Sequence, residues 1–221
     1  MPSGNHLRPG GLAIARSILT DWVGICGVRP QSVADALRAQ LLKQPVLHAD
    51  ETPVAMLAPG NKKTHRAYVW AYYNTPFSEL KATAYDFVPS RVGEHARAFL
   101  GDWHGKLVCD DYAGYKAGFD SGITEIGCLA HARRKFHVLH VTNKSELAAQ
   151  ALESIGARYG IERVLKDPPD QDRQRLRREK AQPIADALDQ WMIAQRQKVP
   201  GGPGTAKALD YSLKRWAGLT C

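Results

Sequence analysis

The feature that most restricts how this chain can fold is a change in hydrophobic period partway along it. Between residues 46 and 128 the apolar residues alternate or cluster in short blocks, as strands require; from Ser145 onward the strand signals stop and helical spacing takes over. The first strand expected is 46–57, V-L-H-A-D-E-T-P-V-A-M-L, closed by the turn signal Pro59-Gly60. Residues 65–74, H-R-A-Y-V-W-A-Y-Y-N, form a second, and 80–88, L-K-A-T-A-Y-D-F-V, alternate as a third. A helix over 93–103 follows, with Ala96, Phe99 and Leu100 on one side. Short strands are expected at 106–110 and 123–128, the latter running into a basic helix from His131.

Ahead of the strands, residues 12–43 read as two helices divided by Pro30. Leu12, Ile14, Leu19, Trp22 and Val23 make a partial stripe in the first; Val33, Leu37 and Leu41 recur at i, i+4, i+8 in the second, with Ser32 as its expected N-cap. Behind them, helices are expected at 145–165, 170–197 and 204–219, broken at Pro168-Pro169 and at Pro200-Gly201-Gly202-Pro203. Three strands in meander followed by helix-linked strands is the element order of an RNase H-like α/β fold. The expected architecture is thus a mixed sheet with a helical leader and an all-helical insertion or tail. Residues 1–43 would form the N-terminal tail and leader, 44–144 an incomplete RNase H-like catalytic core, and 145–221 the helical insertion region.

Two of the strand segments carry acids inside otherwise apolar patterns: Val46-Leu47-His48-Ala49-Asp50-Glu51-Thr52-Pro53 and Leu107-Val108-Cys109-Asp110-Asp111-Tyr112-Ala113-Gly114-Tyr115. A carboxylate in a central strand is costly unless it meets a cation, a metal or hydrogen-bond donors. Two such strands side by side would favour Mg²⁺ or Mn²⁺ between their acids, the arrangement that activates water and then a 3′-hydroxyl for in-line attack on a phosphodiester. Neighbouring strand residues point to opposite faces, so only one acid of each pair can line a common site. Parity does not say which. The alternative is that these acids end strands and fix turns.

Composition is compatible with a nucleic-acid partner. Lys plus Arg number 30 against 22 Asp plus Glu, a formal charge of +8, and basic excess suits a polyanion. The four cysteines, Cys26, Cys109, Cys128 and Cys221, lie far apart with no C-x-x-C pair, which suits reduced thiols better than a disulfide framework. No apolar run approaches the roughly 20 residues of a membrane span, and the N-terminus has no apolar core of a secretory signal. A soluble cytoplasmic protein with no membrane partner is expected.

H-A-D-E-T-P at 48–53, P-S-R-V-G-E-H at 89–95, D-D-Y-A-G-Y at 110–115 and C-L-A-H-A-R-R-K-F at 128–136 occur in the order seen in insertion-sequence-66 transposases. The likeness continues through Ala151-Leu152, Tyr159-Gly160-Ile161-Glu162 and Tyr211-Ser212-Leu213-Lys214-Arg215-Trp216. The chain therefore resembles that family from about Ser17 to Leu219. The resemblance implies a DDE-type enzyme of DNA transposition using Mg²⁺ or Mn²⁺, with its first acid at Asp50 and its second at Asp110. It also implies DNA partners (element ends and target), with accessory transposition proteins and a homo-oligomer as further possibilities. The family's third acid, a glutamate in an N-N-x-x-E-R stretch after the Y-x-L-x-R-W helix, falls beyond Cys221. The family's longer N-terminal part, with DNA-binding and zinc-binding elements, also looks absent. The expectation is a truncated transposase fragment, weak in metal binding and inactive alone; the alternatives are a non-catalytic DNA-binding remnant or regulator, and a decayed frame that does not fold.

Other residues carry two readings each. His131, Arg133, Arg134 and Lys135 crowd one helical turn and read as a phosphate clamp on DNA, against the plainer reading of a solvated face; Phe136 can turn to the core. Arg173, Arg175, Arg177, Arg178 and Lys180 are interleaved with acids and read equally as surface. Cys128 and His131 have C-x-x-H spacing but no second pair, so a buried thiol and a structural or DNA-facing histidine are favoured over zinc. His48 shares parity with Asp50 and could orient a ligand or serve as a core histidine. Trp70, Tyr72 and Tyr73 could stack on a base, but core is the expectation. Glu162 is the one candidate substitute acid, with pairing to Arg158 or Arg163 on a helix surface expected instead.

Overall fold

The computed structural model describes residues 14–28, 30–58, 60, 63–75, 77–165, 169–202 and 204–220. The expected loose tail, Leu12 of the first stripe, and Pro59, Pro168 and Pro203 of the breaks lie outside the described residues. The chain divides into two compact units, Met1–Gly105 and Lys106–Cys221.

The first unit opens with α1 (Arg16–Val28) and α2 (Gln31–Leu41). Ser32 is not the cap of α2. The helix begins one residue before it, with Pro30 at the N-cap and its carbonyl accepting from Val33 and Ala34 N–H, so Ser32 lies in the first turn. Strands β1 (Val46–Met56), β2 (His65–Asn74) and β3 (Thr83–Val88) follow as an antiparallel meander, with Asp50 opposite Ala71 and Ala71 opposite Tyr85. β3 starts later than the alternation in the sequence suggests. The Asn74 side chain bonds the Leu80 carbonyl and accepts the Ala82 N–H, holding residues 80–82 as a clamped loop.

One face of this meander carries the core of the unit: Leu47, Ala49, Trp70, Tyr72, Ala84 and Val88 are buried. Helix α3 (Gly93–Leu100) buries Ala96, Phe99 and Leu100, and Phe99 stacks on Tyr72 with ring centroids 3.7 Å apart. Trp70 and Tyr72 are thus core residues, while Tyr73 is exposed and stacks on His48 at 4.7 Å. Helix α3 stops short of residue 103 because Gly101 turns the chain at φ 55°, a conformation that other residues adopt only with strain. Arg38 of α2 then bonds the carbonyls of Ala98 and Phe99 at 2.8 Å, satisfying the exposed end of α3.

In the second unit β4 (Lys106–Cys109) and β5 (Thr124–Gly127) pair in parallel, linked by a short turn and α4 (Lys116–Phe119). Helices α5 (Leu129–Asn143), α6 (Glu146–Val164), α7 (Asp170–Leu176), α8 (Gln182–Lys198), α9 (Gly204–Lys214) and α10 (Trp216–Thr220) complete it, α7 passing into α8 through a π-helical turn at Arg177–Ala181. Ser145 caps α6 by accepting the Ala148 N–H. Phe136, Leu139, Ala148, Ala151, Ile155, Leu188, Met192 and Leu209 form one apolar cluster, so α5, α6, α8 and α9 share a core. At the far end α10 presses on β5: a Cβ on Gly127 would lie 2.9 Å from Leu219, and one on Gly218 would lie 3.2 Å from the Gly127 nitrogen. Five strands, three antiparallel in the first unit and two parallel in the second, with helices before and after them, give the mixed α/β class expected of an RNase H-like fold. Among the described residues no helix is long and apolar enough to cross a membrane.

Candidate functional site

Each acidic motif belongs to a different unit, and each resolves its pair of carboxylates through an arginine. In β1 the alternation puts Leu47, Ala49 and Glu51 on the buried face and Asp50 and Thr52 on the exposed one. Arg91, from the loop before α3, donates to the Glu51 carboxylate, its Nε lying 2.8 Å from Oε1. The Glu51 side chain is 1% exposed, so the guanidinium is what makes burial of that charge tolerable. Asp50 accepts the Glu51 backbone N–H at 3.1 Å. His48, two residues before Asp50, has its pKa lowered by burial and is therefore held neutral against Tyr73. The loop that carries Arg91 is tied to the first turn of α3: Ser90 Oγ and His95 Nε2 lie 3.0 Å apart.

The second motif differs from the sequence expectation in one respect. β4 ends at Cys109, so Asp110 and Asp111 sit in the turn after the strand, and strand parity does not separate them. Asp110 accepts the Tyr112 N–H at 2.8 Å, an Asx-type closure of the turn. Asp111 instead receives Nη1–H of Arg215 at 2.8 Å. Arg215 lies at the break between α9 and α10, its side chain 8% exposed, and its other arm reaches Glu125 of β5 at 2.5 Å and the Cys109 carbonyl at 3.4 Å. Its Nε–H has no acceptor among the described residues. Burial disfavours the Arg215 cation, but Glu125 and Asp111 outweigh that effect and hold its pKa above the ordinary value.

Tyr211, one helical turn before Arg215, joins this group to the basic helix. The Arg215 guanidinium lies 5.7 Å from its ring centroid and the Lys135 ammonium 4.3 Å from it, both within cation–π range. Burial pushes the Tyr211 hydroxyl up to about 12; Arg215 opposes the shift, and Asp110, Asp111 and Cys128 add to it. The phenol is therefore a neutral group at physiological pH.

On α5, Arg133, Arg134 and Lys135 are exposed, His131 is half-buried, and Phe136 is in the core as the pattern implied. Cys128 is the N-cap of α5. Burial raises its thiol pKa, but hydrogen bonds from the side chain and backbone of His131, the charge of that histidine and the Ala130 N–H reverse this and leave it lowered overall. Glu162 is taken by a bidentate bond from Arg177, 2.8 and 2.7 Å, rather than by Arg158 or Arg163; Arg158 bonds the Leu219 carbonyl at 3.1 Å. Arg175 pairs with Asp172 and Glu179.

Carboxylate oxygens are the donors that Mg²⁺ and Mn²⁺ prefer. Among the described residues, however, no three His, Cys, Asp or Glu side chains gather into a group able to hold a metal ion. The donor type fits a hard divalent cation, and the donor number falls short of a closed site. Arg91, Arg215, Glu125 and Tyr211 were not singled out by residue chemistry alone. For three of them the signal was positional, Arg91 lying in P-S-R-V-G-E-H and Tyr211 and Arg215 in Y-S-L-K-R-W, whereas Glu125 lies in none of the quoted motifs.

Residues 4–221 match a protein-family model described as Transposase IS66 family. Three curated relatives, all from Sinorhizobium fredii, carry the same region. The uncharacterized protein y4qI is 31% identical over 95% of this chain and 41% of its own length; y4hP is 28% identical over 95% and 41%; y4jD is 29% identical over 95% and 43%. The chain thus spans less than half the length of the curated relatives it matches.

Proposed function

Because the chain belongs to the IS66 transposase family, we propose that it acts on DNA in transposition, contributing two of the carboxylates of a metal-dependent strand-cleavage and strand-transfer site. Asp50 and Asp110 would hold the cation. When bound, Mg²⁺ or Mn²⁺ activates water, and then a 3′-hydroxyl, for in-line attack on a phosphodiester. The observation that supports this choice most is that the other acid of each motif, Glu51 or Asp111, is held by an arginine, which competes with a metal for the carboxylate oxygens. Arg133 and Arg134, exposed on α5, contact DNA phosphates; Lys135, over the Tyr211 ring, and His131, tied to Cys128, flank them.

No N-N-x-x-E-R stretch occurs in the 221 residues, and Glu162 is engaged by Arg177. A second reading, a DNA-binding regulator without catalysis, draws on the lack of a three-ligand group among the described residues. Labelled DNA carrying the element ends, incubated with the chain with and without Mn²⁺, separates the two. Binding with no Mn²⁺-dependent product supports the regulator, whereas a product lost in Asp50→Ala and in Asp110→Ala supports the cleavage site. In either case Arg133→Ala should weaken binding and lower the salt slope by about one; an unchanged slope removes α5 from the interface.

A further inference from the structure

The meander of the first unit has a second face, and that face holds aromatic rings in the open. Burial alternates along β3, so Ala84 and Val88 turn inward while Thr83, Tyr85 and Phe87 turn out. Residues paired across antiparallel strands share a face. The register therefore sets Asp50, Ala71 and Tyr85 in one row, with Thr52, Val69 and Phe87 on one side of it and His48, Tyr73 and Thr83 on the other. Tyr85 is 71% exposed, Phe87 55% and Tyr73 38%. Scattered exposed apolar side chains are ordinary, but three rings on one continuous face mark an interaction surface.

The chemistry around the rings selects the occupant. Tyr85 and Phe87 stand two residues apart on one strand, roughly 6.7 Å. That step suits one base per ring on an extended strand and not the roughly 3.4 Å step of a stacked duplex, whose base faces are already covered. Exposed cations flank the strip for the phosphates, Lys81 just before β3 and Arg66 at the start of β2, beyond the Val88 end. A second copy of the chain is the poorer fit, because an apolar protein surface laid over the rings would also bury the exposed Asp50 carboxylate of the same face.

We propose that this face of the first unit is a stacking platform for unpaired DNA, Tyr85 and Phe87 each taking one base and Tyr73, already stacked on His48, extending the platform beside Asp50. The proposal rests on the reading of DNA as the partner and requires no bound cation. Sheet aromatics of this kind hold bases without reading their sequence.

The test measures binding of the whole chain to a labelled oligothymidylate and to a duplex of equal length. Tyr85→Ala and Phe87→Ala should each weaken single-strand binding by roughly tenfold, the loss that removing one base stack carries. Duplex affinity should hold, and so should the salt slope, since no phosphate contact is removed. Tyr85→Phe should retain affinity, whereas Phe87→Leu, apolar but without a ring, should lose about as much as Phe87→Ala. Unchanged single-strand affinity in both alanine variants, equal losses on duplex and single strand, or full affinity in Phe87→Leu each overturn the platform. So does a dimer of the unaltered chain that the alanine variants dissociate in sedimentation, which would make the face a contact between copies. Duplex binding without single-strand binding removes the platform alone; binding of neither form removes the DNA reading with it. If the variants do not fold, cross-linking of 5-iodouracil DNA to the unaltered chain decides: adducts on Tyr73, Tyr85 or Phe87 support the platform, and adducts only elsewhere overturn it.

Discussion

The two acidic motifs use the same pairing with burial reversed. In the first unit the acid is dry and its arginine wet: the Glu51 side chain is 1% exposed and that of Arg91 42%. In the second the arginine is dry and its acids wet, Arg215 at 8% against 36% for both Asp111 and Glu125. The difference follows from where the acids sit. Glu51 is in the body of an eleven-residue strand whose alternation forces it into the core beside Leu47 and Ala49. Asp111 follows a strand of four residues and lies in a turn, so no core claims it, and its counter-ion is brought from residue 215.

That contrast predicts unequal costs. Arg91→Ala should destabilise the protein most, by about 3–5 kcal/mol in urea unfolding, because it removes the cation from a buried carboxylate. The same change in a Glu51→Gln background should cost far less; an undiminished cost there would mean that Arg91 acts through packing. Arg215→Gln should cost less, about 1–2 kcal/mol, since Asp111 and Glu125 can rehydrate. A loss matching that of Arg91→Ala would break the comparison. Smaller again is Arg177→Ala, which removes the exposed bidentate bond to Glu162 and should cost about 0.5 kcal/mol, and less in high salt.

The last effect is a pH dependence confined to the first unit. Burial lowers the pKa of His48 below its ordinary 6.5, so the unfolded chain takes up the proton more readily than the folded one. The stability this provides is present above pH 6.5 and is lost as pH falls toward the folded value. Melting temperature should drop modestly between pH 7.5 and pH 5. His48→Asn should flatten that part of the profile, and an equal drop in the variant would assign the dependence to other groups.

Much of this was legible before any coordinates. β2 covers the residues read from its pattern, and the helices expected at 145–165 and 170–197 begin and end within a residue or so of those bounds, whereas the one expected at 204–219 is broken at Arg215 into α9 and α10. Phe136 turned to the core and Trp70 and Tyr72 were buried as anticipated. The misreadings have local causes: the Asn74 clamp shortened β3, Gly101 ended α3, and Cys109 ended β4 before Asp110.

Periodicity and composition are properties of neighbours along the chain, so the residues by themselves determined the element order, the opposite facing of Asp50 and Glu51, and the cluster of cations on α5. Ion pairing depends on which distant residues are brought within about 3 Å of each other, and no local pattern encodes that. Only the tertiary structure decided that Arg91 serves Glu51, that Arg215 divides itself between Asp111 and Glu125, and that Lys135 rests over Tyr211. These pairings span 40 residues for Glu51 and Arg91 and 104 for Asp111 and Arg215, and they exist because burying a charge without an opposite one nearby is too costly.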